Sequence, residues 1–261
     1  MTFCLGMRTS AGLVGIADTR ITSGYEAITA KKVTIFHAEK SAMFLMTSGL
    51  RSVRDKALTY FEEFIEAQEV PFDRLYKAVN AFAEMIRKVA EEDQPALSKS
   101  GLIFDIHCLI GGQMARDAEP KLYLLYPQGN WVEVAKGTPY SIVGASGYGK
   151  PILDRTFTYD DPLNFALKVG ILAFDSTRIS ATDVDLPVDV IMYEKDSFRI
   201  VEHRYGQEDL REISNWWMER LRSSIFELPS EWIDRIHAKL AAPNQAALCP
   251  VERKEKAFEE E

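Results

Sequence analysis

Cysteine is scarce: the 261-residue chain has three, at Cys4, Cys108 and Cys249, far apart and with no CxxC spacing. An odd, scattered set excludes a disulfide framework and points to a reducing compartment. Histidine is almost as sparse. His37, His107, His203 and His237 show no ligand spacing, and His107-Cys108 on a strand would point to opposite faces. No metal or other cofactor is expected. No run of ~18 apolar residues occurs, so no segment is expected to span a membrane. The start has neither a basic n-region nor an apolar h-region, which argues against a signal peptide. Long basic runs are absent and the formal net charge is −8, so nucleic acid and anionic membranes are poor partners. Together these absences point to the cytoplasm as the expected location. Neither internal repeats nor low-complexity linkers appear.

What is present suits a folded protein. Hydrophobic residues make up 46% and charged residues 27%, enough for a sizeable core. Residues 2–8 and 11–18 read as two strands around the turn Thr9-Ser10-Ala11-Gly12, and 33–37 and 42–48 as two more. Val53, Ala57, Phe61, Phe64 and Gln68 recur at helical spacing. After Pro71, so do Leu75, Val79, Phe82, Ile86 and Val89. Short apolar strands follow at 103–112, 121–126, 131–134 and 140–143. A helix is predicted over 162–175 and a closing strand pair over 188–193 and 198–202. After Arg204 the stripe Leu210, Ile213, Trp217, Leu221, Ile225 predicts a helix, and Ile233, Ile236, Leu240 another. Strand runs separated by helix runs argue for antiparallel sheets with segregated helices, an α+β class. Three segments result: a domain over 1–204, a helical appendage over 205–240 and a charged, flexible tail over 241–261.

The chemistry concentrates at the start. Thr2 follows only Met1. Once Met1 is removed, the hydroxyl and a free α-amine sit on one residue, a nucleophile with its own base. An unperturbed α-amine has a pKa of ~7.7–8.0, so it can take a proton near neutrality. Asp18 ends an apolar run and Lys32 precedes the strand-like Val33-Thr34-Ile35-Phe36, with Lys31 as the competing choice. A lysine beside the hydroxyl would favour the alkoxide, and an aspartate would hold that ammonium in place. Gly49 ends the next strand, where a bare backbone N–H can meet an oxyanion. The run from Gly144 to Lys150 fits GxxxxGK, but Pro151 stands where a phosphate loop needs Ser or Thr; Pro151 suits the start of a short helix. Asp183 and Asp185 read as solvated loop acids, and Trp216-Trp217 as packing on the chain's own sheet or on a neighbour.

Thr2, Asp18-x-Arg20, Lys32 and Ser48-Gly49-Leu50 together resemble the N-terminal-nucleophile (Ntn) hydrolases of the proteasome β-subunit type. The opening MTFCLGMRTSAGLVGIADTR, with LYPQGNWVEV, YGKPILDR, FDST and LPVDVIMYEKDS, is similar to the bacterial ancestral β-subunit group, Anbu. The resemblance runs from Met1 to about Trp232. It implies a four-layer αββα sandwich with extra C-terminal helices. It also implies Thr2 as nucleophile, Asp18 and Lys32 as the polarising pair and Gly49 as oxyanion donor. Ser146 and Asp175 match the serine and aspartate that such subunits place near the threonine amine. At the position three beyond Asp175, where those subunits carry serine, this chain has Arg178; Ser176, Thr177 and Ser180 are the substitutes at hand. The implied partners are further copies of the chain, in a ring or a stacked oligomer, and a peptide or other amide substrate; no ATPase unfoldase is specified. Two functions follow: a threonine hydrolase of amide bonds, or an assembling subunit with little or no peptidase activity.

Overall fold

The structure, a computed structural model, describes residues 2–23 and 26–241. Met1, Cys249 and the tail from 242 onward lie outside the described residues. The order opens with β1 (Phe3–Thr9), β2 (Gly12–Asp18), β3 (Arg20–Ser23), β4 (Glu26–Thr29), β5 (Val33–Ala38) and β6 (Ser41–Gly49). Two helices follow, α1 (Arg51–Glu66) and α2 (Leu75–Lys99). Then come β7 (Ile106–Met114), β8 (Lys121–Leu125), β9 (Trp131–Glu133) and β10 (Tyr140–Gly144). The chain continues with α3 (Lys150–Thr156), α4 (Leu163–Ser180), β11 (Val188–Glu194), β12 (Ile200–Tyr205), α5 (Gln207–Phe226) and α6 (Glu231–Ala241). None of these helices is long and apolar enough to cross a membrane.

Two five-stranded antiparallel sheets form, in the orders β10-β1-β2-β11-β12 and β5-β6-β7-β8-β9. Alternation along each strand divides the side chains between two cores. From β1 and β2, Phe3, Leu5, Met7, Val14 and Ile16 meet Val169, Ala173 and Phe174 of α4. Cys4, Leu13 and Ala17 point the other way and pack on Phe44, Met46, Leu109 and Leu122 of the second sheet. The far face of that sheet, with Met43, Leu45, Ile106 and Ile110, is covered by α1 and α2. Helices, sheet, sheet, helices: this is the four-layer αββα sandwich that the resemblance implied. Because helices cover both outer faces, every residue of β1 and β2 is buried.

The helical stripes behave as expected, with local differences. Val53, Ala57 and Phe61 bury the inner face of α1, while Gln68 lies past its end at Glu66. In α2, Leu75, Val79, Phe82, Ile86 and Val89 are all buried. This helix runs on through Pro95 to Lys99, further than the apolar stripe. Phe61 is the hub of this layer, its ring edge-on to Phe36 at 5.5 Å and to Phe82 at 5.2 Å. Phe61→Ala would leave a cavity beneath α1 and is expected to cost about 3–5 kcal/mol, read as a lower denaturant midpoint.

At the end of β1 away from Thr2, charge joins the sheets. Arg8, 1% exposed, donates to Glu119 at 2.8 Å and to Glu133 at 2.9 Å. Burial pushes the Glu119 carboxyl up. Its hydrogen bond from Lys136, the Arg8 charge, Tyr159 and Lys121 outweigh that and hold it down at about 2. A carboxylate depressed by folding stabilises the fold above its ordinary pKa, and that contribution is lost as pH falls from the ordinary carboxylate range towards 2. Glu119→Gln is therefore expected to narrow the gap between melting temperatures at pH 7 and pH 3.

Residues up to Asn215 form one unit, and a second begins at Trp216, within α5. In the second, Trp216 and Trp217 stack with centroids 6.4 Å apart. Trp216, Leu221, Ile225, Phe226, Trp232 and Leu240 are exposed there.

Candidate active site

The site is built where β1 begins. Cys4 pairs with Ala17 across β1 and β2, which brings Asp18 level with Phe3. The Phe3 N–H donates to Asp18 Oδ1 at 2.8 Å, so the residue behind Thr2 is tied to this carboxylate. Lys32, from the connection into β5, donates to the same Oδ1 at 2.7 Å and to the Arg20 carbonyl at 2.7 Å. Asp18 Oδ2 accepts the Arg20 N–H at 3.2 Å. Asp18 is 0% and Lys32 5% exposed. Lys31 turns outward to Glu202, 2.7 Å away, so of the two lysines Lys32 is the one on Asp18.

Burial pushes the Asp18 carboxyl up from its ordinary range. The Lys32 charge, the Lys32 hydrogen bond and the N–H groups of Phe3 and Arg20 pull it back without fully offsetting burial. The buried cation therefore governs whether this carboxylate stays charged. Nearby, Cys4 donates to the Thr47 carbonyl at 3.7 Å, and burial raises its thiol far above the normal thiol range. Cys4 is thus inert packing, as expected.

Gly49 closes β6 with φ of 124°. A Cβ there would overlap the Asp105 carbonyl oxygen, which accepts the Leu50 N–H at 2.8 Å. Only glycine fits this corner. Gly144, with φ of 91°, lies opposite Phe3, and a Cβ on it would strike the Thr2 carbonyl. That carbonyl accepts the Ala145 N–H at 2.7 Å. Thr2 itself is half-buried, and Ser146, one residue past Ala145, is exposed.

Asp175 lies on α4, beside Phe174, whose ring packs on that of Phe3 at 5.9 Å. It is 3% exposed. Arg178 donates to Asp175 Oδ1 from Nε at 3.0 Å and from Nη2 at 2.8 Å. Ser214 of α5 donates to Oδ2 at 3.1 Å. Of the substitutes near Arg178, Thr177 donates back to the Ala173 carbonyl at 2.8 Å and Ser180 is exposed. The hydroxyl on Asp175 thus comes from a residue with no local sequence signal. Asp185, read as solvated, pairs with Arg20 at 2.9 Å. Two further features lie beside these residues: the β3–β4 pair between Asp18 and Lys32, and His107 Nδ1 lying 3.0 Å from Asp105, opposite Ser48 in the ladder.

The structure therefore brings Asp18, Lys32 and the Phe3 end of β1 into direct contact. It stands Gly144 and Ala145 against Thr2 and holds Asp175 on the helix backing Phe3. A buried, paired ammonium can polarise a hydroxyl brought beside it.

The Proteasome subunit family model matches residues 2–184. Among solved structures, Anbu (ancestral β-subunit) from Yersinia bercovieri is similar with a TM-score of 0.81 and 30% identity, over 87% of this chain and 98% of that one. The helical assembly of the Anbu complex from Pseudomonas aeruginosa gives a TM-score of 0.82 and 30% identity, over 87% and 97%. An Anbu (Gly-1) mutant from Hyphomicrobium sp. strain MC1 gives 0.81 and 28%, over 88% and 98%. Comparison with curated protein sequences gives no match.

Proposed function

The chain belongs to the proteasome subunit family, within its Anbu group, and from that premise we propose that it is a threonine hydrolase of amide bonds, with Thr2 as nucleophile once Met1 has been removed. One observation carries this reading: the buried Lys32–Asp18 pair is hydrogen-bonded to the N–H of Phe3, directly behind Thr2. Two of the three ammonium hydrogens of Lys32 are engaged, by Asp18 and by the Arg20 carbonyl; in this reading the third serves the Thr2 hydroxyl in the mature protein.

In this mechanism the Thr2 hydroxyl proton passes to the freed α-amine as Oγ1 attacks the substrate carbonyl. The Lys32 charge stabilises the developing alkoxide, and the Gly49 N–H stabilises the tetrahedral oxyanion. The C–N bond breaks and the leaving amine takes the proton from the α-ammonium. Water then attacks the acyl–enzyme ester, with the α-amine again as base, and the acid product departs. Asp175 is assigned to the α-ammonium, which it would stabilise by charge. The Pseudomonas relative forms a helical assembly; the same tendency is proposed here, with the exposed apolar residues of the second unit as part of the contact.

A second reading has its own support. Arg178 already occupies Asp175, and Ser146 is exposed. An assembling subunit with little peptidase activity fits those facts, and retention of Met1 in the purified protein would favour it. The test is hydrolysis of a panel of fluorogenic peptide amides by protein shown by mass to lack Met1. Thr2-dependent release of the fluorophore supports the hydrolase; no release across the panel supports the assembly subunit.

A further inference from the structure

Ala30, Lys31 and Lys32 join β4 to β5 and belong to neither strand, so no ladder fixes them and their backbone groups must find other partners. The Ala30 N–H donates to the Thr19 carbonyl at 2.8 Å, and the Lys31 side chain pairs with Glu202 of β12 at 2.7 Å. Lys32 is held by the peptide groups on both of its sides. Its own carbonyl accepts the Thr47 N–H of β6 at 3.2 Å. The carbonyl before it, that of Lys31, accepts Nη1 of Arg54 at 3.1 Å.

Arg54 stands in the first turn of α1, just past the Gly49 corner, and its N–H closes that turn on the Leu50 carbonyl at 3.1 Å. Asp55 Oδ1 accepts from Arg54 Nε at 2.8 Å and from Nη2 at 2.6 Å. The planar fork is thereby fixed, with Nη1 turned to Lys31. The Arg54 side chain is only 15% exposed. Its charge is felt at the start of β1: the Cys4 thiol, raised chiefly by burial, is drawn back by Lys32 and by Arg54. From Lys32 the contacts continue inward. Its Nζ lies 2.7 Å from Asp18 Oδ1, and that oxygen accepts the N–H of the Thr2–Phe3 peptide at 2.8 Å. A lysine stem is flexible, so the ammonium is placed no better than the backbone that carries it.

We infer that Arg54 is a positioning residue for Lys32. Its guanidinium clamps the Lys31–Lys32 peptide to α1 and so sets the lysine relative to both Asp18 and the Gly49 corner. The inference rests on the proposed reading of Lys32 as the charge that favours the Thr2 alkoxide. One side chain then couples the two elements that carry the polarising lysine and the oxyanion donor.

The test is the rate at which a threonine-reactive β-lactone labels full-length protein lacking Met1, followed by intact mass, with the urea midpoint of each variant measured alongside. Arg54→Met removes the donors and the charge and is expected to slow labelling about tenfold, the effect of one lost hydrogen bond from a charged donor. Arg54→Lys keeps the charge without the fork and is expected to recover part of the rate. On a Lys32→Met background, Arg54→Met is expected to change the rate by less than about twofold, since the group it positions is gone. A merely structural arginine would slow both backgrounds alike. Should Arg54→Met fail to fold, Arg54→Gln gives the same comparison; should Lys32→Met fail, Asp18→Asn with Lys32→Met serves as the background. Labelling of Arg54→Met at the parent rate, or an equal slowing on both backgrounds, overturns the inference alone. A parent protein that lacks Met1 yet takes no label overturns the hydrolase reading, and this inference with it.

Discussion

Thr2→Ala is expected to abolish amide hydrolysis, lowering turnover by a factor on the order of 10⁴ to 10⁶, the range that loss of a nucleophile costs hydrolases acting through an activated hydroxyl. The expectation is this large because in the proposed mechanism Thr2 supplies the attacking atom, and the other groups around it act only through that atom. The fold should not notice. Thr2 is half-buried and its structural contact, the carbonyl that accepts the Ala145 N–H, belongs to the backbone and survives the change. Alanine is small enough for Met1 removal to proceed as before. Turnover of the fluorogenic panel and circular dichroism, measured on the same preparation, check both halves. Equal turnover in the variant would locate the chemistry elsewhere.

The second large effect is expected from Lys32→Met, which keeps the length of the side chain and removes its charge. Asp18 is wholly buried and would retain only the N–H groups of Phe3 and Arg20. Stranding one member of a buried pair costs about 3–5 kcal/mol, more than the pair itself contributes. Hydrolysis should also fall, by roughly 10² to 10³, as the electrostatic support for the alkoxide disappears. The pH dependence has a definite sign. Burial already raises the Asp18 carboxyl, and removing its cation raises it further. A carboxyl raised by folding destabilises the fold as pH climbs from its unfolded value through its folded one. The deficit of the variant should therefore be greatest near pH 7 and shrink towards pH 4, where the buried carboxyl takes a proton. Urea midpoints at the two pH values check this. Adding Asp18→Asn to Lys32→Met should recover part of the loss, since it removes the unpaired charge.

The sandwich was legible because its strands are short apolar or β-rich runs bounded by turn signals, such as residues 2–8 before Thr9-Ser10-Ala11-Gly12, while Leu75, Val79, Phe82 and Ile86 recur by turns of a helix. Asp18 and Lys32 were legible for a related reason, as charged residues at the ends of apolar strands. The β3–β4 pair was not, since Arg20–Ser23 and Glu26–Thr29 are short, largely polar and, among the described residues, paired only with each other. Arg8 gave no hint of burial, because its guanidinium is matched by Glu119 and Glu133, more than a hundred residues away. Ser214 is the clearest case. Arg178 was visible as a departure from serine, but its consequence lies in a tertiary contact between α4 and α5 that no local pattern encodes.

The most direct test of Thr2 as an activated nucleophile is the intact mass of purified protein after exposure to a threonine-reactive β-lactone. The mechanism predicts one species, lacking Met1 and carrying a single adduct, and no adduct on Thr2→Ala. Protein that lacks Met1 and stays unmodified would contradict it, and the assembling subunit without peptidase activity would then be the better description.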